Sequence, residues 1–569
     1  MPCLSFTRVR ILLISAHGAD LSAGGTERYV SDLVRGLTAR GHEAHVLAAF
    51  PTRGDYSFNG QFTRQIGAAG AATALADFAL GATSGITRNV LAGTFGMRSW
   101  NLAAFADDSW RVTNRLTWNF GLRYELLAPP YEVYDRWSNF RVDTARLEIA
   151  GRKGASRRLR NLDTNNLAPR AGITYLLTSD RKTVLRLGGG FSYVEAGQGG
   201  GQLYKNLPFF FSQVVATDQN ARPPVRVSDG LPTPVPPDPN DIVAISGGNP
   251  NAWDYHLQST RAMQWSLGLE REIVSNLLVD VSYVGTRTVG LIANVNINQS
   301  VPGPGAQGPR RPFFSANPNV TNVTYRTNYG GAKYHSLQTR VEKRASRGLT
   351  LSVAHTWSHY VANAGNINGG GNGPPQDYRC YRCEWGSTPD DRRQVFVLNH
   401  VYELPFGRGR QWLSEGALAH VVGNWSLSGI WSLSTGEHFT PGLAAAASNS
   451  AGGGGDRPNR IRDGNLASSE RTIDRWFDLG AFAVPGQFQF GDAGRGILVG
   501  PGNVNVDLGV HRNFRFHERS ILSFRWEMFN AFNHANFTVP NAAIGNPTVG
   551  QISGTAPARI MQLALKLSF

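Results

Sequence analysis

The chain has 569 residues, a formal net charge of +15, 65 Gly, 30 Pro, 13 Trp, 17 Tyr and 29 Phe against 5 Met. That length serves several soluble domains or one large barrel, and the Gly, Pro and aromatic content favours many strands and turns. No run of about 18 apolar residues occurs, which excludes a spanning helix, and three cysteines exclude a disulfide framework.

A mean hydropathy of -0.26 is compatible with a membrane barrel, because half of each strand faces water. With a pI near 10.0 the first question is nucleic acid. A nucleic-acid surface clusters its cations. Here they are scattered, as with Arg123, Arg186, Arg340 and Arg525, at polar positions of alternating segments. The expectation is no nucleic-acid partner, but a basic lumen and basic loops that attract anionic solutes or lipopolysaccharide phosphates.

In chain order, residues 9–15 are a short apolar run, followed by a loop at Gly24 and Gly25. Val30, Leu33, Val34 and Leu37 then recur at helical spacing, Gly41 stops the pattern, and residues 44–50 form a second apolar run. This is a βαβ unit. The segment Gly24-Gly25-Thr26-Glu27-Arg28, followed by Gly41-His42-Glu43, resembles the start of a family 4 glycosyltransferase of the GT-B type. In that family the Gly-Gly loop approaches the donor and acceptor cleft with free backbone amides. Neither the second Rossmann-like half nor the paired-glutamate motif is found further on, so residues 1–52 are expected to be an inactive remnant, joined by gene fusion or by an artefact of sequence assembly. A secretory signal competes for the same residues, since Arg8 and Arg10 precede the apolar stretch 11–16. The run is short, and Gly18, Asp20 and the amphipathic helical pattern after it do not resemble a cleavage region, so no convincing signal peptide is read.

From residue 56 the pattern becomes alternation interrupted by turns. Leu116, Trp118, Phe120, Leu122 and Tyr124 share one face; Thr117, Asn119, Gly121, Arg123 and Glu125 share the other. Thr113-Asn114-Arg115 turns back to a strand holding Ala104 to Asp108. Similar hairpins turn at Ser179-Asp180-Arg181, Ser275-Asn276 and Ser346-Arg347-Gly348, and 16 to 18 strands are expected in all. Between hairpins lie long irregular stretches such as residues 196–206, 223–250 and 365–386, rich in Gly, Pro, Asn or Asp. Short turns alternating with long loops match an outer-membrane barrel. A propeller would show blade repeats, and none is found.

The last segment repeats the alternation. Met561, Leu563, Leu565, Leu567 and Phe569 are apolar, with Gln562, Ala564, Lys566 and Ser568 between them. An alternating strand closing on Phe resembles the terminal signal read by the barrel-assembly machinery, and these five residues are its candidates.

Late in the chain several motifs fall in order. Asp391-Arg392-Arg393 leads a strand ending Tyr402-Glu403-Leu404-Pro405-Phe406-Gly407-Arg408-Gly409, followed by Asn424-Trp425-Ser426-Leu427-Ser428-Gly429. Trp476-Phe477-Asp478, Phe490-Gly491-Asp492-Ala493-Gly494-Arg495 and Phe524-Arg525-Trp526-Glu527-Met528-Phe529-Asn530 come next. Together with Ala168-Pro169-Arg170 and Tyr283-Val284-Gly285 they resemble the barrel of TonB-dependent, Oar-like receptors over residues 56–569. The resemblance implies a mostly β fold: a transmembrane antiparallel β-barrel of about 22 strands, here incomplete and preceded by the βαβ fragment. It also implies a Gram-negative outer-membrane location, outer-membrane lipid as surroundings and an unidentified solute. TonB becomes a partner only where a plug is supplied elsewhere, since no plug or TonB box is read in front of the barrel.

Cys380 and Cys383 lack a second ligand pair at zinc spacing, so they would form a local disulfide or stay free. His355, His400, His511 and His534 are dispersed, and Glu527 has no acidic partner nearby. Trp476, Phe477 and Phe482 would line a solute site or serve as interfacial and loop anchors. No cofactor, metal or catalytic residue is assigned, and the expectation is solute uptake or surface binding by a non-enzyme. The rival readings are a glycosyltransferase, on the amino-terminal fragment alone, and an adhesion protein contacting its target through loops 196–206 and 365–386.

Overall fold

The computed structural model describes residues 10–15, 43–48, 54–59, 61–63, 71–91, 93–194, 200–216, 237–238, 240–241, 247–346, 348–365, 372–407, 409–517 and 520–569. The Gly24-Gly25 loop, the helical pattern from Val30 to Leu37, Cys3, and residues 196–199, 223–236, 239, 242–246 and 366–371 of the long irregular stretches lie outside them. Arg10–Ser15 and Glu43–Ala48 pair in parallel.

One antiparallel sheet organises the rest. Its continuous path runs through β1 (Asn101–Arg111), β2 (Leu116–Leu127), β3 (Asn166–Leu176), β4 (Thr183–Val194), β5 (Thr260–Val274), β6 (Leu277–Asn296), β7 (Thr324–Ser346), β8 (Leu349–Ala362), β9 (Gln394–Glu403), β10 (Trp425–Ser434), β11 (Asn503–His517), β12 (Ser520–Phe529) and β13 (Ile560–Ser568). Each strand pairs with its sequence neighbour, and two short strands, Asn251–Trp253 and Gly386–Ser387, attach to β7 and β8 and bring the sheet to 15. Among the described residues the wall thus has fewer strands than the 16 to 18 expected. The remaining strand-like segments satisfy one another instead: Gly85–Leu91 sits between Gly54–Ser57 and Phe210–Ala216 in a separate three-stranded sheet.

Register places residue types in rows. Trp110, Trp118, Ile173, Leu187, Leu267, Tyr283, Leu337 and Trp357 lie side by side from β1 to β8. Tyr402, Leu427, Val510, Trp526 and Leu563 do so from β9 to β13. The residues one step along, such as Thr174, Arg186, Gly268, Ser282, Gln338 and Thr356, form polar rows on the opposite face. A strand period of two converts the alternation directly into these two faces. Along the apolar side an indole lies flat over Gly285, where a Cβ would fall 2.3 Å from the Trp265 ring. Arg123, Arg186, Arg340 and Arg525 all stand on the polar face, where Arg186 pairs with Glu270 at 2.8 Å and Arg123 with Glu125 at 2.5 Å.

Connections alternate in length. At one end they are residues 112–115, 177–182, 275–276, 347–348 and 518–519, with a single longer one, 404–424; at the other they are 128–165, 195–259, 297–323, 363–393, 435–502 and 530–559. Strands β6 and β7, of 20 and 23 residues, reach ~65–80 Å at about 3.4 Å per residue, well beyond an apolar band about 25 Å tall. Their far ends project into the long loops.

All three apolar cores lie in that loop layer. Phe140, Leu147, Ile149, Val295 and Val320 form one, and Trp137, Leu159, Leu203, Trp253 and Ile292 a second. The third gathers Phe439, Phe477, Phe482 and Leu498.

Among the described residues no ladder joins β13 to β1. Thirteen alternating strands leave both edges running the same way, so direct closure between them would be a parallel seam. No described helix is long and apolar enough to cross a membrane, which says nothing of strands.

Candidate functional site

The long loops are tied together by buried polar groups. Glu384, fully buried, receives Arg457 Nη2 at 3.0 Å and the Arg495 guanidinium on its other oxygen, while the Gln376 amide donates to it at 3.2 Å. The two arginines also donate to the carbonyls of Cys383 and Pro374. Gln376 extends the net, accepting from the Arg457 amide at 2.6 Å and donating to Gly491 O at 3.1 Å. Burial pulls the Arg457 guanidinium below its ordinary pKa, and Glu384 opposes that pull. Next to this net, Cys380 and Cys383 are joined by a disulfide across a Cα–Cα distance of 5.4 Å.

A second cluster stands where β8 and β9 leave the wall. The buried Asp391 accepts from the Tyr360 amide at 2.9 Å and lies 3.0 Å from His359 Nδ1, 3.5 Å from Arg393 Nε and 3.6 Å from His438 Nε2. His438 Nδ1 sits 2.9 Å from the Gly496 carbonyl oxygen and so carries the ring proton in the neutral form. Its buried Nε2 has no hydrogen-bond partner, and burial lowers the pKa of the ring. Sequence reasoning picked out Asp391 only as a motif residue and missed the two histidines.

Two of the concavities of solute-scale dimensions gather ionisable side chains. On the polar face of β9 to β12 a groove of about 400 Å³ is lined by Asn399, Ser428, Asp507, His511 and Glu527. Ser428 Oγ and His511 Nε2 are 2.9 Å apart. Asp507 is occupied by the Asn530 amide and the Asn505 side chain. Among the described residues no carboxylate bonds His511, so nothing orients the imidazole as a base. The second concavity, about 790 Å³, lies in the loop between β2 and β3. Arg141, Arg146, Arg152 and Lys153 line it, with Glu148 as the one carboxylate among the described lining residues. Arg141 is held by Asp143 at 2.7 Å and stacks on Tyr255 with 4.4 Å to the ring centroid. Arg146, Arg152 and Lys153 are exposed and make no ion pair among the described residues. The chemistry on offer is recognition of negative charge.

The residues singled out in the sequence fall in different places. Phe477 and Phe482 are buried in the third loop core, and the Trp476 indole donates to Val499 O at 2.8 Å, so none of the three stands in the apolar rows of the wall. His355 faces Gln394 at 2.7 Å, His534 faces Asn536 at 3.2 Å, and the His400 ring covers Gly429. Met561, Leu563, Leu565 and Leu567 share the apolar face of β13, paired to β12, and Phe569 comes after the strand, 96% exposed.

The family described as "Outer membrane beta barrel domain" matches residues 34–562. No curated protein matches the sequence. Among solved structures the chain is similar to the FrpB iron transporter from Neisseria meningitidis (F5-1 variant), with a TM-score of 0.39, 11% identity, and coverage of 90% of this chain and 51% of that one. It is similar to the outer membrane transporter YddB from Escherichia coli, with a TM-score of 0.39, 10% identity and coverage of 85% and 55%. A third likeness is to the siderophore receptor PirA from Acinetobacter baumannii, with a TM-score of 0.39, 10% identity and coverage of 85% and 46%. The chain thus spans about half the length of these structures.

Proposed function

The chain belongs to the outer membrane beta barrel domain family, and from that premise we propose that it is a receptor barrel of the TonB-dependent, Oar-like subtype whose outer loops take up an anionic solute. In an outer-membrane barrel the short turns face the periplasm and the long loops the exterior. The apolar rows then meet lipid, and the polar face with its ion pairs lines the lumen. The basic cleft between β2 and β3 is the observation that carries the reading: beyond Arg141, which Asp143 holds, it presents Arg146, Arg152 and Lys153 with Glu148 among the described lining residues, in a loop layer that has its own cores. The Oar-like subtype is supported by the order of motifs from Asp391 to Asn530.

Energised import in this reading runs through TonB acting on a plug. Insertion starts from the alternating signal Met561, Leu563, Leu565, Leu567 and Phe569. Residues 1–52 are read as a separate glycosyltransferase-like unit, with the parallel pair Arg10–Ser15 and Glu43–Ala48 as support.

Binding to cells displaying the protein tests the anion preference. A panel of small polyanions, neutral sugars and polyamines is expected to show retention of the polyanions alone. The triple variant Arg146→Ala, Arg152→Ala, Lys153→Ala is expected to bind them about tenfold more weakly at low salt. Equal retention of neutral or cationic solutes would end this reading.

A further inference from the structure

One connection at the periplasmic end does not obey the rule. Where its neighbours need from two to six residues, β9 and β10 are joined by 404–424. The segment is built, not slack. Trp412 N donates to Pro405 O at 2.9 Å and Gly407 N to Trp412 O at 3.0 Å, and the Phe406 and Trp412 rings meet at 5.7 Å. Gly407, at φ +105°, lets two backbones touch: a Cβ there would fall 2.5 Å from Gly423 Cα. A short helix, α1 (Ala417–Val422), completes it.

Its side of the wall is fixed by Arg512. That residue shares a lipid-facing row with Trp425, the first residue of β10, and with Phe524 and Leu565. Its guanidinium donates to the carbonyls of His420 and Val421, at the carboxy-terminal end of α1, and stacks over Trp425 at 5.3 Å and Phe514 at 4.1 Å. Trp425 Nε1 donates to Val421 O at 3.2 Å. The helix therefore lies outside the barrel, with Ala419 buried and Leu418 and Val421 turned away from the wall, each 64% exposed. At spacing i, i+3 these two share one face, and Trp412 and Leu413 are also exposed.

We propose that residues 404–424 form an interfacial anchor lying along the outside of the wall, in the headgroup–acyl boundary of the periplasmic leaflet. The occupant of its apolar face is lipid. That face continues the lipid-facing row of Trp425, Phe524 and Leu565, and beside it the exposed Gln411, Ser414 and Glu415 are polar side chains of the kind that meet headgroups. The arrangement also accounts for an arginine on the lipid face. Bare in hydrocarbon, Arg512 would be costly; capped by the helix carbonyls and two aromatic rings, it is covered.

Spin labels test this in the full chain, reconstituted in bilayers, with Cys3→Ser leaving Cys380 and Cys383 in their disulfide. Labels at Leu418→Cys and Val421→Cys are expected to show an oxygen-to-nickel-chelate collision ratio about tenfold above that of Ser468→Cys in the outer loops. Equal ratios at all three sites would overturn the proposal. So would labels shielded from both relaxants and dipolar-coupled between chains, the signature of a second copy on this face. Should Leu418→Cys lose heat-modifiable migration, Val421→Cys and Leu413→Cys give the same reading without it.

Discussion

In the wall the large apolar side chains stay uncovered by protein, Leu563 and Leu565 each at 70% exposure, whereas in the outer loops Trp137, Phe140 and Phe477 are at 1%. The same residue types are sorted to opposite positions because the two regions face different solvents. Between the two edge strands the wall satisfies its backbone groups through ladders and leaves its apolar face to lipid. The loop layer stands in water, where only mutual burial removes apolar area, at roughly 25 cal/mol per Å². One chain therefore holds two stability problems, and a perturbation should act on one region without reaching the other.

The sharpest break falls in the loop layer. Glu384→Ala leaves Arg457 and Arg495 buried without their shared anion, a loss of about 3–5 kcal/mol. Limited proteolysis of intact cells is expected to cut the outer loops of this variant far faster than those of the parent, while heat-modifiable migration of the wall persists. Loss of both together would show that the two regions fold as one unit. In the wall, Leu563→Arg puts a cation on the lipid face at a cost of about 2–4 kcal/mol, depending on depth. Urea titration of folding into bilayers should shift by that amount, with loop cleavage unchanged.

The contrast also governs what could be read from the sequence. Wall strands carry their environment in their own alternation, so Leu116 to Tyr124 and the turns at Asp180 and Asn276 were legible locally, and the short turns set the register. The loop cores were not. Trp137, Leu203 and Trp253 come from short segments far apart in the chain, with no period to link them. Phe477 and Phe482 were visible as aromatics, but their neighbour Phe439 lies across a long loop. Asp391, His359 and His438 likewise meet only through tertiary structure. For the segment 404–424, the one signal available was the pair Leu418 and Val421 between two glycines, Gly416 and Gly423.

Smaller effects refine the boundary between the regions. The double variant Cys380→Ser, Cys383→Ser opens a ring closed over a separation of 3 residues, for which the chain-entropy estimate is about 2 kcal/mol. Hydrogen exchange is expected to rise at residues 376–388 and to stay level in β8 and β9. Exchange rising along β8 would mean that the loop supports the wall as well.

The finest probe is pH, through His438. Its ring is neutral when buried, with a pKa below the ordinary 6.5, so between those two values the unfolded chain binds a proton that the folded loop does not. Stability from this residue is therefore fully present above pH 6.5 and declines as pH falls toward the folded value. Asp391, facing Nε2 at 3.6 Å, softens the decline, and Arg393 and His359 on the same carboxylate steepen it. Pulse proteolysis of the outer loops between pH 7.5 and 5 should show increasing cleavage in the parent and a flatter profile in His438→Gln. The wall has no part in this equilibrium, and its heat-modifiable migration is expected to stay constant over the same range. A pH response of the loops that survives His438→Gln would show that the buried ring is not its source, and would move the sensitive joint away from this loop core.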